Sequence, residues 1–134
     1  MARTLAIIFG IVFVLVGIMG FMDTPLAGEM GIFQTDTLHD LVHILFGLIL
    51  LGVAFTAPHR SAAWLTILGI VYLVLAVLGF LLVGESGELL GLVLMNDNDH
   101  WLHVFLGVAL ILAGRTRNRT SGTSGSMPMS SPTM

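Results

Sequence analysis

The chain has 134 residues, 56% of them hydrophobic and 10% charged, with a mean hydropathy of +0.99 and a net charge of -3. A water-soluble domain of this size cannot hide that much apolar surface, so lipid is the expected solvent. The absence of Cys excludes disulfides and thiolate metal sites.

Four apolar runs follow in order, at about 4–22, 37–56, 62–83 and 97–114. A helix needs ~20 residues to cross the hydrocarbon core. The first three runs meet this outright, and the fourth does so only if it begins near Asp97. In lipid each backbone amide must find its partner within its own segment, so the runs are helices. The first is too long for a removable signal, whose apolar part spans ~7–15 residues.

The charges are segregated. Arg3 precedes the first run, Arg60 lies between the second and third, and Arg115, Arg117 and Arg119 follow the fourth. The acids Asp23, Glu29, Asp36, Asp40, Glu85, Glu88, Asp97 and Asp99 occupy the other two connections or their helix junctions. Arginine is retained on the cytoplasmic side. Both termini are therefore expected in the cytoplasm, with an acidic outer rim. Residues 115–134 have no apolar period and read as a disordered cytoplasmic tail behind a transmembrane domain of residues 1–114. The tail's Met127, Met129 and Met134 read as composition rather than a soft-metal site.

The second half repeats the first. Leu5–Phe21 aligns with Trp64–Phe80 at an offset of 59, matching Gly10/Gly69, Gly20/Gly79 and Phe21/Phe80. Gly31–Ala54 then aligns at an offset of 60, matching His43/His103, Gly47/Gly107 and Leu50/Leu110. The expected fold class is all-α integral membrane, with four transmembrane helices as a duplicated two-helix hairpin in a parallel 2+2 repeat. The small residues Gly10, Gly17, Gly20, Gly69, Ala76 and Gly79 mark the faces turned into the bundle. The outward segments carry apolar stretches, Met30–Phe33 and Leu89–Met95, expected to lie on the outer membrane face or to lid the bundle.

Helix capping accounts for most of the acids. Asp36 or Thr37 sits where the second helix starts, Thr37 with Asp40 reads as a capping box, and Asp97, Asn98 and Asp99 can cap the fourth helix. The histidines ask for more. His43 and His103 lie ~9 Å inside their helices at ~1.5 Å per residue, and each has a glycine, Gly47 or Gly107, one turn deeper. A polar side chain at that depth needs a partner. A neighbouring helix, with the imidazole bonded to a backbone carbonyl or to Glu29 or Glu88, satisfies this need.

Three ligand readings stand beside that one. Haem b can sit between His43 and His103 where Gly47 and Gly107 leave room. A divalent metal can be held by His39, His43, His100 and His103 with Asp40 and Asp99 nearby. Proton handling suits a side chain titrating near neutrality. His39-Asp-Leu-Val-His43 also matches a zinc-protease helix in spacing, but the shorter Asp replaces the general-base Glu and the repeat lacks the motif.

The segments Asp40-Leu-Val-His43…Gly47, Asp99-His-Trp-Leu-His103…Gly107 and Val71-Tyr-Leu-Val74…Gly79-Phe80 resemble those of a bacterial membrane protein family called domain of unknown function 4383. The resemblance covers about residues 5–114. Asp40 and His100 stand where that family tends to have Asn. It implies a four-span protein and no known activity. The expected function is that of a non-enzymatic accessory or interaction module in the cell membrane. Its partners are the bilayer and a second copy or another membrane protein, with no nucleic acid and no resident cofactor.

Overall fold

The computed structural model of the protein describes residues 1–22 and 24–116, so Asp23 and the tail from residue 117, with Met127, Met129 and Met134, lie outside the described residues. The described chain is mostly helical, with α1 at Ala2–Gly20, α2 at Thr37–Thr56, α3 at Ser61–Leu78 and α4 at Asp97–Gly114. Pro58–Arg60 forms a single 3-10 turn between α2 and α3. α3 does not stop at Leu78 but widens into a π-helical turn, Gly79–Val83.

Three of these elements are long and apolar enough to span a membrane: α1, α2, and α3 with its flanking turns. α4 has 18 residues, opens on Asp97-Asn98-Asp99, and is not among the three. All four nevertheless turn apolar side chains outward. Leu15 is 59% exposed, Leu48 55%, Val77 55% and Phe105 69%, whereas the polar His43 and His103 are 6% and 4% exposed. This is the reverse of a soluble bundle, and only lipid stabilises such a surface. The protein is a membrane protein.

Helix pairs pack through glycine. A Cβ at Gly47 would lie 2.6 Å from the Gly10 carbonyl oxygen, and one at Gly107 would lie 2.9 Å from that of Gly69. The α1–α2 and α3–α4 backbones therefore approach as closely as backbones can, which is how helices gain dispersion contact in lipid. The space beside each histidine's glycine is taken up by the neighbouring helix, with Val14 against Gly47 and Leu73 against Gly107.

At one end of the bundle, the Arg3 guanidinium donates to the Ala54 carbonyl at 3.1 Å, placing a cation on the negative end of α2. Gly114 of α4 packs on Ala62 and Thr66 of α3 at this same end, which therefore also carries Arg60 and Arg115. The other end is built from short strands. β1 (Ala27–Gly28) pairs in parallel with β2 (Phe33–Gln34). β3 (Ser86–Leu89) and β4 (Val93–Asn96) form an antiparallel hairpin with Ser86 opposite Asn96. The outward segments are thus ordered. Leu89 and Met95 are 5% and 1% exposed, so the hairpin turns apolar residues onto the bundle as a lid.

The caps sit one residue before Thr37 and Asp97. Asp36, not Thr37, caps α2 by accepting from the His39 N–H at 2.8 Å. Asn96 caps α4 in a full capping box with Asp99. The reason is that the backbone is still extended at Asp36, two residues past β2, and at Asn96, the last residue of β4, and the last extended residue is the one whose side chain can fold back.

Candidate functional site

The bundle centre is polar and aromatic. Phe13 of α1 and Tyr72 of α3 stack at 5.2 Å and 14°. Tyr72 lies 5.0 Å from the His103 ring and 6.3 Å from the His43 ring. His39 lies 4.8 Å from His43 and 5.9 Å from His103. The His43 and His103 ring centres are 6.4 Å apart. A cavity of about 190 Å³ borders this group, lined by the three histidines, Tyr72 and apolar residues including Leu89, Val93 and Met95 of the lid.

Each histidine reaches its place for a local reason. His39 and His43 are four residues apart on α2, so they share a face. His103 projects from α4 at the equivalent depth. One ring nitrogen of each of the three lies within 4.8 Å of the others.

Two of these rings have fixed tautomers. His39 Nδ1 lies 2.8 Å from the Leu94 carbonyl oxygen, and His103 Nδ1 lies 2.6 Å from that of Asp99. A carbonyl only accepts, so both Nδ1 atoms carry the hydrogen and donate it. In the neutral rings the lone pair is left on Nε2. The Leu94 backbone is held on its other side as well, since its N–H, in the preceding peptide, donates to Asp36 Oδ2 at 3.0 Å. His43 differs: its Nδ1 is buried and has no hydrogen-bond partner among the described residues, and the same holds for the Tyr72 hydroxyl.

The remaining residues singled out in the sequence lie elsewhere. His100 turns to α3. A Cβ on Gly79 would run into its ring, and its Nε2 lies 3.0 Å from the Gly84 carbonyl oxygen. Asp40 occupies the matching place against Gly20 on α1. The Asp99 carboxylate accepts from the Gln34 and Asn96 N–H groups at 2.9 and 2.8 Å, so it acts on backbone. Glu29 and Glu88 are exposed and bond neither deep histidine: His103 is served by the Asp99 carbonyl, and His43 Nδ1 has no partner among the described residues. The space around the His43–His103 pair holds the rings of His39 and Tyr72, so a haem macrocycle between them would have to displace both.

The sequence reading passed over Tyr72 and its stacking partner Phe13. A signal existed, since the offset of 59 pairs these two residues, and Tyr72 is the protein's only Tyr. The same repeat pairs His100 with Asp40 rather than with His39, which separates His100 from the cluster.

No curated protein and no solved structure matches the chain. The family described as Domain of unknown function (DUF4383) matches residues 3–116. With a match across nearly all of its described length, the chain belongs to that family.

Proposed function

We propose that the protein is a non-enzymatic module of the bacterial cell membrane, built as a duplicated helical hairpin with both termini in the cytoplasm. Its transmembrane domain covers residues 1–114, followed by a cytoplasmic tail. The observation that carries this reading is the reversed surface, apolar outside and polar within, over all four helices. The described arginines Arg3, Arg60 and Arg115 cluster at one end, which supports an inward orientation of that end.

Several equivalences support the duplication. Gly10 faces Gly47 as Gly69 faces Gly107, and Gly20 faces Asp40 as Gly79 faces His100. Two hydrogen bonds cross between the halves in the same way: the His39 ring bonds the backbone of Leu94, and the Asp99 side chain bonds the backbone of Gln34. Positions 39 and 99, like 34 and 94, are equivalent at the offset of 60.

The outward apolar faces supply a surface for lipid and for a second copy or another membrane protein. The polar groups turn inward and hold the two halves to each other, which suits an assembly role better than turnover of a substrate. Reporter fusions at each terminus test the arrangement. Alkaline phosphatase should stay inactive, and a cytoplasmic fluorescent reporter should light up, at both ends. Phosphatase activity at either terminus overturns it.

A further inference from the structure

We propose that His39, His43 and His103 form a site for one divalent transition-metal ion of the zinc class, inside the half of the bundle nearer the short strands. The inference goes beyond the module reading and does not depend on which way the helices point.

Four features carry it. The three imidazoles come from two helices, are each at least nine-tenths buried, and already gather one ring nitrogen apiece within 4.8 Å. Nitrogens sharing a tetrahedral ion at ~2.0–2.1 Å each lie roughly 3.3 Å apart, so small rotations of the rings close the set. Second, His39 and His103 each donate Nδ1–H to a backbone carbonyl. A ligating histidine is oriented in this manner, with its free lone pair aimed at the ion. Third, His43 Nδ1 is buried with no partner among the described residues. An uncompensated polar atom at that depth is costly, and a coordinate bond to this nitrogen would satisfy it. Fourth, the cavity of about 190 Å³ borders the three rings and leaves room for a water or small anion as fourth ligand.

The donor set narrows the ion. Three neutral imidazoles with no thiolate favour zinc, copper or nickel over magnesium or calcium, which take oxygen. Three histidines and one open position is a known zinc arrangement. The ion's charge is answered at one remove. Asp36 accepts from the N–H of Leu94, the residue whose carbonyl takes His39, and the carbonyl taking His103 belongs to Asp99. His100 stays outside, held against Gly79 and Gly84. The cavity is too small for a haem and falls below the ~300–1,000 Å³ of ordinary organic-ligand pockets.

The test uses untagged full-length protein in detergent, stripped with a chelator and titrated with Zn²⁺ alone, and in parallel with Co²⁺. One Zn²⁺ per chain is expected, with the visible ligand-field bands of four-coordinate Co²⁺. His39→Gln, His43→Gln and His103→Gln should each weaken binding at least about 100-fold, beyond the usual cost of a lost supporting contact. His59→Gln, at the exposed turn, should leave it unchanged. X-ray absorption at the zinc edge on the unaltered protein should count three imidazoles, a readout that needs no variant to fold. Binding that survives all three substitutions, a spectrum with sulfur or fewer than three imidazoles, or no saturable zinc binding overturns the proposal. So does a Soret band in protein expressed with haem supplied, if His43→Gln abolishes it.

Discussion

Tyr72 and Phe13 show how one residue can differ between otherwise matching positions. Both are 1% exposed and stack at the bundle centre. Phe13 brings nothing polar, whereas the Tyr72 hydroxyl is buried with no partner among the described residues. Such a group costs ~1–3 kcal/mol to leave unpaired. In metal-free protein, Tyr72→Phe should therefore be neutral or raise stability by ~1 kcal/mol, read as a higher melting temperature in detergent. A clear loss of stability would mean that the hydroxyl has a partner after all. The sequence could place His43 and His103 at one depth, because helical rise is fixed. The repeat sets His100 opposite Asp40 and so apart from the pair, but it could not show that His39 would join them. Residues three or four apart share a broad face, and only the neighbouring helix decides which side of that face each one meets. Nor could it show that the histidine partners are backbone carbonyls, since every residue carries one and no side-chain pattern marks them.

At the scale of elements, glycine placement separates tight contacts from idle ones. Gly47 and Gly52 sit five residues apart on α2, yet a Cβ at Gly47 meets the α1 backbone at 2.6 Å and one at Gly52 meets nothing within 4 Å. Gly52→Ala should stabilise the helix by ~0.5–1 kcal/mol through reduced chain entropy. Gly47→Ala should force α1 and α2 apart and cost ~1–3 kcal/mol. Unfolding in a denaturing detergent series, run on both variants, checks the opposite signs. The π turn after α3 has a steric reason. Its first residue, Gly79, faces the His100 imidazole, where the corresponding Gly20 faces the smaller Asp40 carboxylate. A π turn widens the helix locally where the larger ring must be accommodated, whereas the extra residue of the second repeat enters later, since Gly28-Glu29 and Gly87-Glu88 still match at an offset of 59. Helix positions were legible from length and polarity. The caps and the lid strands were not, because four-residue strands and a one-residue shift of cap lie below what periodicity resolves.

At the scale of the molecule, the open question of α4 becomes a measurable one. It is the shortest apolar stretch, but its Phe105 is 69% exposed at mid-helix, among outward Val108 and Leu112. A spanning α4 places Phe105 in hydrocarbon. Phe105→Arg should then penalise insertion by ~2.5–3.5 kcal/mol, seen as loss of membrane integration in a glycosylation-mapping assay. Unimpaired integration would put α4 at the interface instead. The lipid-facing surface and the helices were readable from composition and run length, since both depend on averages over many residues, whereas the family was readable only from the short segments around His43, His103 and Tyr72. The three-ring cluster depends on how two hairpins dock, and that docking is written in contacts between residues some sixty positions apart.

The crossing turn at Pro58–Arg60 contributes no buried residue. Everything that grips within a hairpin lies on one side of it or the other, and the ties between hairpins are side-chain contacts in the interior and at the strand end. A gene interrupted at this turn would encode two polypeptides, each a finished helical pair with its own glycine seam. Their reunion in the bilayer would rest on the aromatic stack and on the hydrogen bonds that join the halves at the strand end, among them those of His39 and Asp36 to Leu94 and of Asp99 to Gln34.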